Sequence, residues 1–559
     1  RATEQWFFRA SPEAPSEPRP SGSDRSAIHT HGSLPYGRGS DSLWSTAKKF
    51  VDSVQWIPAW GKNRIDGMLD TRPDWCISRQ RSWGVPIPAF FDNDGNLLLT
   101  EKSVRTISAH FAKHGADSWY THTPQQLLGS ETWTDTVIDP QGKPISEFRI
   151  QNSELSKGSD ILDVWFESGA SHHAVLERTH PELGYPADMY LEGSDQHRGW
   201  FQSSLLEAAG YKKEPPFKSV LTHGFAVDEH GKKYSKSSGN YVPLETLLKQ
   251  HGADVMRLWV ASVDYQNDIR FGQNLLASIS EAYRKIRNTI RYLLGNLYDF
   301  DPTENSVDPD PHSIDQWMKR KIDAWAQAVH DAYDRYEFHT VFKLIYEFCN
   351  VEISATYAKA IKDRLYCELP DANRRRASQT VCYRALLRLV ELCAPILAFT
   401  SDEAWAAVRK LPGCAELESS VHLATFSFLD AGDPADEAEG LSDEEAGENA
   451  ALELFNSLTE SLRSTVDSTL AARHWQVLML LIEKGNKQLD DLKRSVDLGN
   501  PLDAEAVILV PAADDDLTEH IEAYGPEIED ALGVGYHRLE NGPRGSGWDI
   551  KIIDTRTLY

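Results

Sequence analysis

The sequence predicts an α/β region followed by an all-α region, with a small α/β domain near the end. Three observations predict it. Met189–Trp200 is an apolar run that gives way to Gly193-Ser194-Asp195 and then to residues at helical spacing, which reads as strand, turn and helix. From Ile279 onward, Tyr283, Ile286, Ile290, Leu293 and Leu297 recur in steps of four and three and define one helical face. Near the end, Ala504–Val510 reads as a strand between helical stretches at Ala451–Leu492 and Leu517–Leu532.

At 559 residues the chain is too long for one core, and roughly two to four domains are expected. A hydrophobic content of 41% with 25% charged residues fits a soluble globular protein. No apolar run approaches the ~18 residues of a membrane span, and the N-terminus lacks a basic-then-apolar signal, so a cytoplasmic protein is expected. The net charge of −26 argues against a generally basic nucleic-acid binder. Nine of the acids, however, lie between Asp430 and Glu448 with no Lys or Arg among them, so local basic faces matter more than the total. None of the six cysteines forms a Cys-x-x-Cys pair, so neither a zinc site nor a redox motif is expected. Cys382 and Cys393, on one helical face, read as buried thiols.

In the α/β region, the Gly-Ser-Asp turn lets a ligand approach the backbone. Ser194 or Asp195 is expected to cap the following helix, whose N–H groups favour an anion. In an open parallel sheet this crevice, beyond the carboxyl end of a strand, is where nucleotides sit. Val220–Phe225 reads as another strand and Asp228–Gly231 as a turn. Lys232-Lys233-Tyr234-Ser235-Lys236-Ser237-Ser238-Gly239-Asn240 then forms a cationic loop able to follow a polyphosphate. Taken singly, a turn and a solvated loop are the plainer readings.

Together, about forty residues apart, the two stretches resemble the second half of a class I aminoacyl-tRNA synthetase active site. The loop is similar to the family's Lys-Met-Ser-Lys-Ser signature, with Tyr234 in place of methionine. Glu192-Gly193-Ser194-Asp195-Gln196-His197-Arg198-Gly199-Trp200-Phe201 and Leu221-Thr222-His223-Gly224-Phe225 narrow the resemblance to the isoleucyl-tRNA synthetases. Arg72–Gly84, Ser159–His172 and the helical region from Tyr336 to Cys367 also resemble that family, so the likeness covers roughly residues 45–540.

The resemblance implies the C-terminal half of a Rossmann-like nucleotide-binding catalytic domain, an anticodon-binding helical bundle and a small α/β C-terminal domain. The boundaries expected are 1–46 for an editing-domain exit and low-complexity insertion, 47–272 for the catalytic half, 273–429 for the bundle, 430–450 for an acidic linker, 451–545 for the small domain and 546–559 for a tail. It implies ATP-dependent activation of isoleucine and its transfer to tRNA(Ile), with Mg2+ accompanying ATP as substrate. Lys233 and Lys236 would follow the charge on departing pyrophosphate. Glu192, Gly193 and Asp195 would surround the ribose and adenylate, Ser235 and Lys236 would also bind ATP, and Gln196 would bind the adenylate at its amino-acid end. Trp165 and Trp200 would wall the amino-acid pocket, and Glu167 stands where the family has aspartate. His223 reads equally as a ribose or phosphate contact and as a structural histidine.

Arg79 and Arg81, flanked by tryptophans, read as tRNA contacts or as a strand whose arginines pair with carboxylates. Arg374-Arg375-Arg376 reads as a phosphate contact or a solvated helix end. His29-Thr30-His31-Gly32 is the wrong sequence for the family's His-Ile-Gly-His motif. The His-Ile-Gly-His half and the editing domain are missing, so a C-terminal portion is expected, inactive alone and monomeric when complete. A noncatalytic tRNA-binding remnant and a degenerate gene product are the alternatives.

Overall fold

The computed structural model describes residues 7–9, 43–71, 74–81, 83–139, 143–228, 230–234, 242–426, 470–496, 504–511, 524, 526–542 and 548–555. The low-complexity insertion, Ser235 and Lys236 of the lysine loop, and the acidic linker lie outside the described residues. The chain divides into two compact units, Arg1–Phe225 with Gln266–Asp268, and Ala226–Tyr265 with Ile269–Tyr559.

The first unit is built on parallel strands. Helix α1 (Leu43–Ser53) buries Trp44, Ala47, Phe50 and Val51 at helical spacing. Strand β1 (Gln55–Ile57) and helix α2 (Trp60–Thr71) follow. Next comes a five-stranded antiparallel sheet of Phe90–Phe91, Leu97–Leu98, Thr132–Ile138, Pro144–Gln151 and Ser156–Lys157. Helix α3 (Glu101–His114) opens with a reciprocal cap between Thr100 and Ser103, and its Ile107 joins Phe90, Leu98 and Trp119 in that module's core. Helix α4 (Val164–Gly169) is capped by Asp163. Strand β2 (Ala187–Gly193), helix α5 (Trp200–Tyr211) and strand β3 (Phe217–His223) complete the unit.

The three strands pair in the order β2-β3-β1, parallel throughout, with Gly193 opposite His223 and Leu221 opposite Ile57. Parallel strands cannot be joined by a hairpin, and α5 serves as the crossover between β2 and β3. Its Phe201, Leu205 and Ala208 pack with Phe217, Val220, Trp56 and Ile65, so central strand β3 is almost wholly buried.

The second unit is mainly helical. Helices α6 (Ala253–Ser262), α7 (Gln273–Gly295) and α8 (Ile314–Asp334) precede a helix, Phe338–Glu347, that passes into a π-helical stretch, Phe348–Tyr357. Helices α9 (Asn373–Cys393), α10 (Ala398–Val408) and α11 (Leu470–Val496) follow. Strands β4 (Ala504–Val510), β5 (Tyr536–Asn541) and β6 (Asp549–Asp554) form a sheet with β4 central, parallel to β5 and antiparallel to β6. Ile279, Ile286, Ile290, Leu293 and Leu297 are buried and Tyr283 packs against the same core. Cys382 and Cys393 are free thiols inside it. Among the described residues no helix is long and apolar enough to cross a membrane.

Thr400-Ser401-Asp402-Glu403 has the sequence pattern of a capping box that would open a helix at Ser401, but α10 begins at Ala398 and already contains Thr400. Asp254 of α6 accepts from the Thr400 backbone N–H (2.7 Å) and hydroxyl (2.6 Å), so a distant carboxylate satisfies the first turn. The Arg374-Arg375-Arg376 run is held by partners within the chain. Arg375 is buried and binds Asp299 through both terminal nitrogens (2.7 and 3.1 Å). Arg376 donates to the Asp299 carbonyl (2.8 Å) and to Gln379 (2.9 Å), and Arg374 to Asp530 (2.7 Å). Burial strengthens the Arg375 pair against water, whereas Arg374 is exposed and its pair with Asp530 is a surface one.

The helical bundle and the small α/β domain meet on Arg364. Its guanidinium is 2% exposed and pairs with Asp315 (2.9 Å), Glu527 (2.5 Å) and Asp530 (2.9 Å). Asp315 also accepts from Tyr357 (2.5 Å) and Ser378 (2.9 Å). Burial pushes the Asp315 and Glu527 carboxyls up, and Arg364 opposes it. Arg364→Met is therefore expected to destabilise the second unit by about 3–5 kcal/mol, because it strands buried carboxylates. A lower denaturant midpoint, with lost hydrogen-exchange protection across β4, is the measurement. An unchanged midpoint would show that the carboxylates find other partners.

Candidate functional site

The carboxyl ends of β2 and β3 lie side by side, and Gly193 of one faces His223 of the other. Glu192 is exposed there, and its carboxylate accepts from the Gly193 N–H (3.3 Å). A Cβ on Gly193 would stand 2.9 Å from Asp195 Oδ1 and 3.6 Å from His223 Cε1, so glycine keeps the strand end open. At the neighbouring Gly224 a Cβ would fall 2.2 Å from the Asn267 carbonyl oxygen, and only glycine permits that backbone approach. His223 Nδ1 donates to the Gly224 carbonyl (2.8 Å), which fixes the tautomer and leaves the lone pair on Nε2.

The turn differs from expectation in its capping. Ser194–Arg198 is a 3-10 turn, and neither Ser194 nor Asp195 caps a helix. Gln196 does that work instead: its Oε1 accepts from the Trp200 N–H (3.2 Å) while its Nε2 donates to Asp195 Oδ2 (3.2 Å). The side chain is thereby tied into the turn, with Asp195 exposed beside it. His197 is buried between Trp56 and Trp60, with Nδ1 on the Ser194 carbonyl (3.1 Å). Burial lowers its imidazole to about 4, so it is neutral.

Trp165 and Trp200 border the same turn. A Cβ on Gly199 would come within 3.0 Å of the Trp165 ring, which is 37% exposed. Trp200 stacks on Tyr190 at 4.1 Å and donates its indole N–H to Ser171 (3.1 Å). Glu167 is turned toward the chain, accepting from the Val85 N–H (2.7 Å). Arg79 binds Asp163 (2.5 Å), the carboxylate that also caps α4. Of the two readings for that pair of arginines, Arg79 takes the ion pair, and Arg81 is exposed.

Beneath these aromatics is a polar layer. Glu207 of α5 reaches under Gly169, where a Cβ would be 2.3 Å from its Oε1. That oxygen and His172 Nε2 are buried with no hydrogen-bond partner among the described residues. Burial pushes the Glu207 carboxyl up to about 9 and the His172 imidazole down to about 4.

The lysine loop belongs to the second unit. Lys233 bridges to Val227, and the ring of Tyr234 packs edge-on against Phe271 (5.5 Å), in a cluster with Met256 and Leu276. The phenol thus fills an apolar slot, which is also what a methionine would do there. Among the described residues no group of three or more His, Cys, Asp or Glu is set to hold a metal ion.

Residues 1–272 match the family model described as tRNA synthetases class I (I, L, M and V), and residues 315–473 match the anticodon-binding domain of tRNA ligase. The chain belongs to the class I tRNA synthetases. It is similar to the isoleucine–tRNA ligase of Geobacter sulfurreducens, 49% identical over 76% of this chain and 41% of the relative. That of Syntrophotalea carbinolica is 39% identical over 97% of this chain and 53% of the relative. The chain spans about half the length of the curated relatives it matches. A solved Mycobacterium tuberculosis methionyl-tRNA synthetase bound by methionyl-adenylate is 15% identical over 67% of this chain and 64% of that one, with a TM-score of 0.45.

In this synthetase chain the one sequence signal for the polar layer is a charged residue, Glu207, within the apolar run of α5. Unfolded, that carboxyl titrates near 4.5; folded, it keeps its proton to about 9. Between those values the folded state binds the extra proton, so its contribution to stability falls as pH rises, by up to about 1.4 kcal/mol per pH unit. Glu207→Gln cannot titrate. Its stability relative to the parent is expected to grow from about pH 5 to about pH 9 and then level off. Denaturant titrations across that range check this, and a constant difference would mean that Glu207 is ionised in the fold.

Proposed function

We propose that this chain supplies the nucleotide-closing and tRNA-binding parts of an isoleucine–tRNA ligase acting in the cytoplasm. The observation that carries the reading is the identity to relatives named isoleucine–tRNA ligase, 49% over 76% of this chain for one and 39% over 97% for another. Isoleucine and ATP would form an aminoacyl-adenylate and pyrophosphate, and the aminoacyl group would then pass to tRNA(Ile).

The first step is an in-line displacement at the α-phosphate, in which positioning and charge neutralisation dominate. Glu192, Gly193 and Asp195 stand where a ribose and adenylate can meet an open strand end. Trp165 and Trp200 offer apolar walls for the side chain of the amino acid, with Gln196 between them and the nucleotide. Lys233 and Lys236 would take up the charge on departing pyrophosphate, which ATP brings in with its Mg2+. Ser235 would hold ATP alongside them. Arg81 is the stronger candidate of its pair for a tRNA phosphate, because Arg79 is already paired with Asp163. Arg374, Arg375 and Arg376 are not carried into this reading.

The test is isoleucine-dependent ATP–pyrophosphate exchange, with this chain alone and with an N-terminal portion carrying His-Ile-Gly-His. Activity in the mixture is expected. Lys236→Ala should then cut the rate about 10²–10³-fold, the scale of losing one transition-state donor at ~2–4 kcal/mol, with Lys233→Ala the smaller loss. Full exchange by Lys236→Ala would remove the lysines from the mechanism. Silence of the mixture, with tRNA still bound by the chain, would favour the noncatalytic tRNA-binding reading.

A further inference from the structure

On the polar side of α7, three of the four cations are held by other side chains. Arg284 pairs with Glu281 (2.6 Å), Arg287 with Glu403 (2.7 Å), and Lys285 donates to Tyr346 and Asn350 (both 3.1 Å). Arg291 is exposed and has no ionic or hydrogen-bond partner among the described residues. It borders a cavity of about 390 Å³ lined by Asn288, Arg291, Tyr292, Gly295, Asn296 and Tyr366. The first five fall at i, i+3, i+4, i+7 and i+8, one face of a helix, and Tyr366 comes from the short helix Lys362–Cys367. The floor is fixed: Asn296 Nδ2 donates to the Tyr292 carbonyl (2.8 Å), Gln379 donates to the Asn296 carbonyl (2.9 Å), and the Tyr292 hydroxyl reaches the Ala358 carbonyl (3.5 Å). The rim is not. Asn288 and Tyr366 have no hydrogen-bond partner among the described residues, and Tyr366 is 62% exposed.

We propose, on the tRNA-binding reading above, that this cavity takes one unstacked nucleobase of the tRNA, with its ring on Tyr366, its edge on Asn288 and its phosphate on Arg291. Single-stranded RNA is read by splaying bases onto aromatic faces and pairing their exposed edges with polar side chains. A free amide offers both a donor and an acceptor to such an edge, and a free guanidinium beside it meets the backbone phosphate. A space of this size lies within the range, about 300–1,000 Å³, that holds one small ligand. Charge fits the same occupant. Lys362, one turn before Tyr366, is exposed as well, beside the exposed Asp363, while the neighbouring carboxylates Asp299 and Glu368 are held by Arg375 and Arg374. So small a cluster of cations suits a single phosphodiester rather than a polyphosphate.

The test uses the whole chain and an end-labelled tRNA(Ile) transcript, with binding read by fluorescence anisotropy over a range of salt. Tyr366→Ala should weaken binding by about five- to a hundredfold, the scale of one lost base–aromatic stack, and leave the salt dependence as it is. Tyr366→Phe should restore the affinity, because the ring does the stacking. Arg291→Gln should weaken binding and also flatten the slope of log Kd against log salt by about 0.7, the share of one phosphate on a single strand. Tyr120→Ala, at an exposed tyrosine of the first unit, should change neither. Arg291→Gln decides the matter if Tyr366→Ala misfolds, because Arg291 is on the surface. Parent-like affinity and slope in Arg291→Gln, or parent-like affinity in a folded Tyr366→Ala, would overturn the site and leave the tRNA-binding reading standing. No tRNA bound by the parent would overturn both. Binding of AMP that depends on Tyr366, with tRNA affinity unmoved, would overturn it in favour of a free nucleotide.

Discussion

Everything in the candidate site depends on three strands being parallel. Parallel pairing forces a helical crossover, and the crossover brings the chain back so that both strands end at the same edge. Gly193 and His223 are therefore neighbours in space though thirty residues apart in sequence. The crossover helix α5 begins at that edge, which explains why Trp200 and the Gln196 turn sit beside the strand ends. It also explains the polar layer: α5 must press on α4 to cover the sheet, and at their closest approach Gly169 leaves room for Glu207.

What the sequence makes legible is what depends on local spacing. The strand, turn and helix from Ala187 to Tyr211, the apolar face of α7 and the strand Ala504–Val510 all follow from periodicity, and periodicity is a property of neighbours. The misreadings share a different cause. Thr400 has the right neighbours for a cap, but Asp254 satisfies that turn from 146 residues away. Ser194 and Asp195 have the right chemistry to cap α5, but the next side chain along, Gln196, takes the Trp200 N–H.

Charge behaves the same way. A chain of net charge −26 has more carboxylates than its arginines can meet, so a buried arginine readily finds an acidic partner. Arg364 holds three of them, Arg375 takes Asp299 with both terminal nitrogens, and Arg79 takes Asp163. A basic run in such a sequence is weak evidence for a phosphate until its partners are known. Arg81 keeps its candidacy because it is exposed, and Trp83, 89% exposed two residues on, leaves an aromatic face at the same edge.

Tyr234 shows how a residue that departs from a family signature can still be anchored by its neighbours. The residue at this place precedes the proposed ATP-binding pair, so its task is to fix where the loop begins. Burying a ring against Phe271, Met256 and Leu276 does that through apolar area, with no need for a thioether. A phenol is stiffer than methionine and carries a hydroxyl whose acidity burial suppresses, so it stays neutral beside the lysines. Where the family signature has an unbranched side chain this chain has a rigid ring, and the apolar slot formed with Phe271, Met256 and Leu276 holds it.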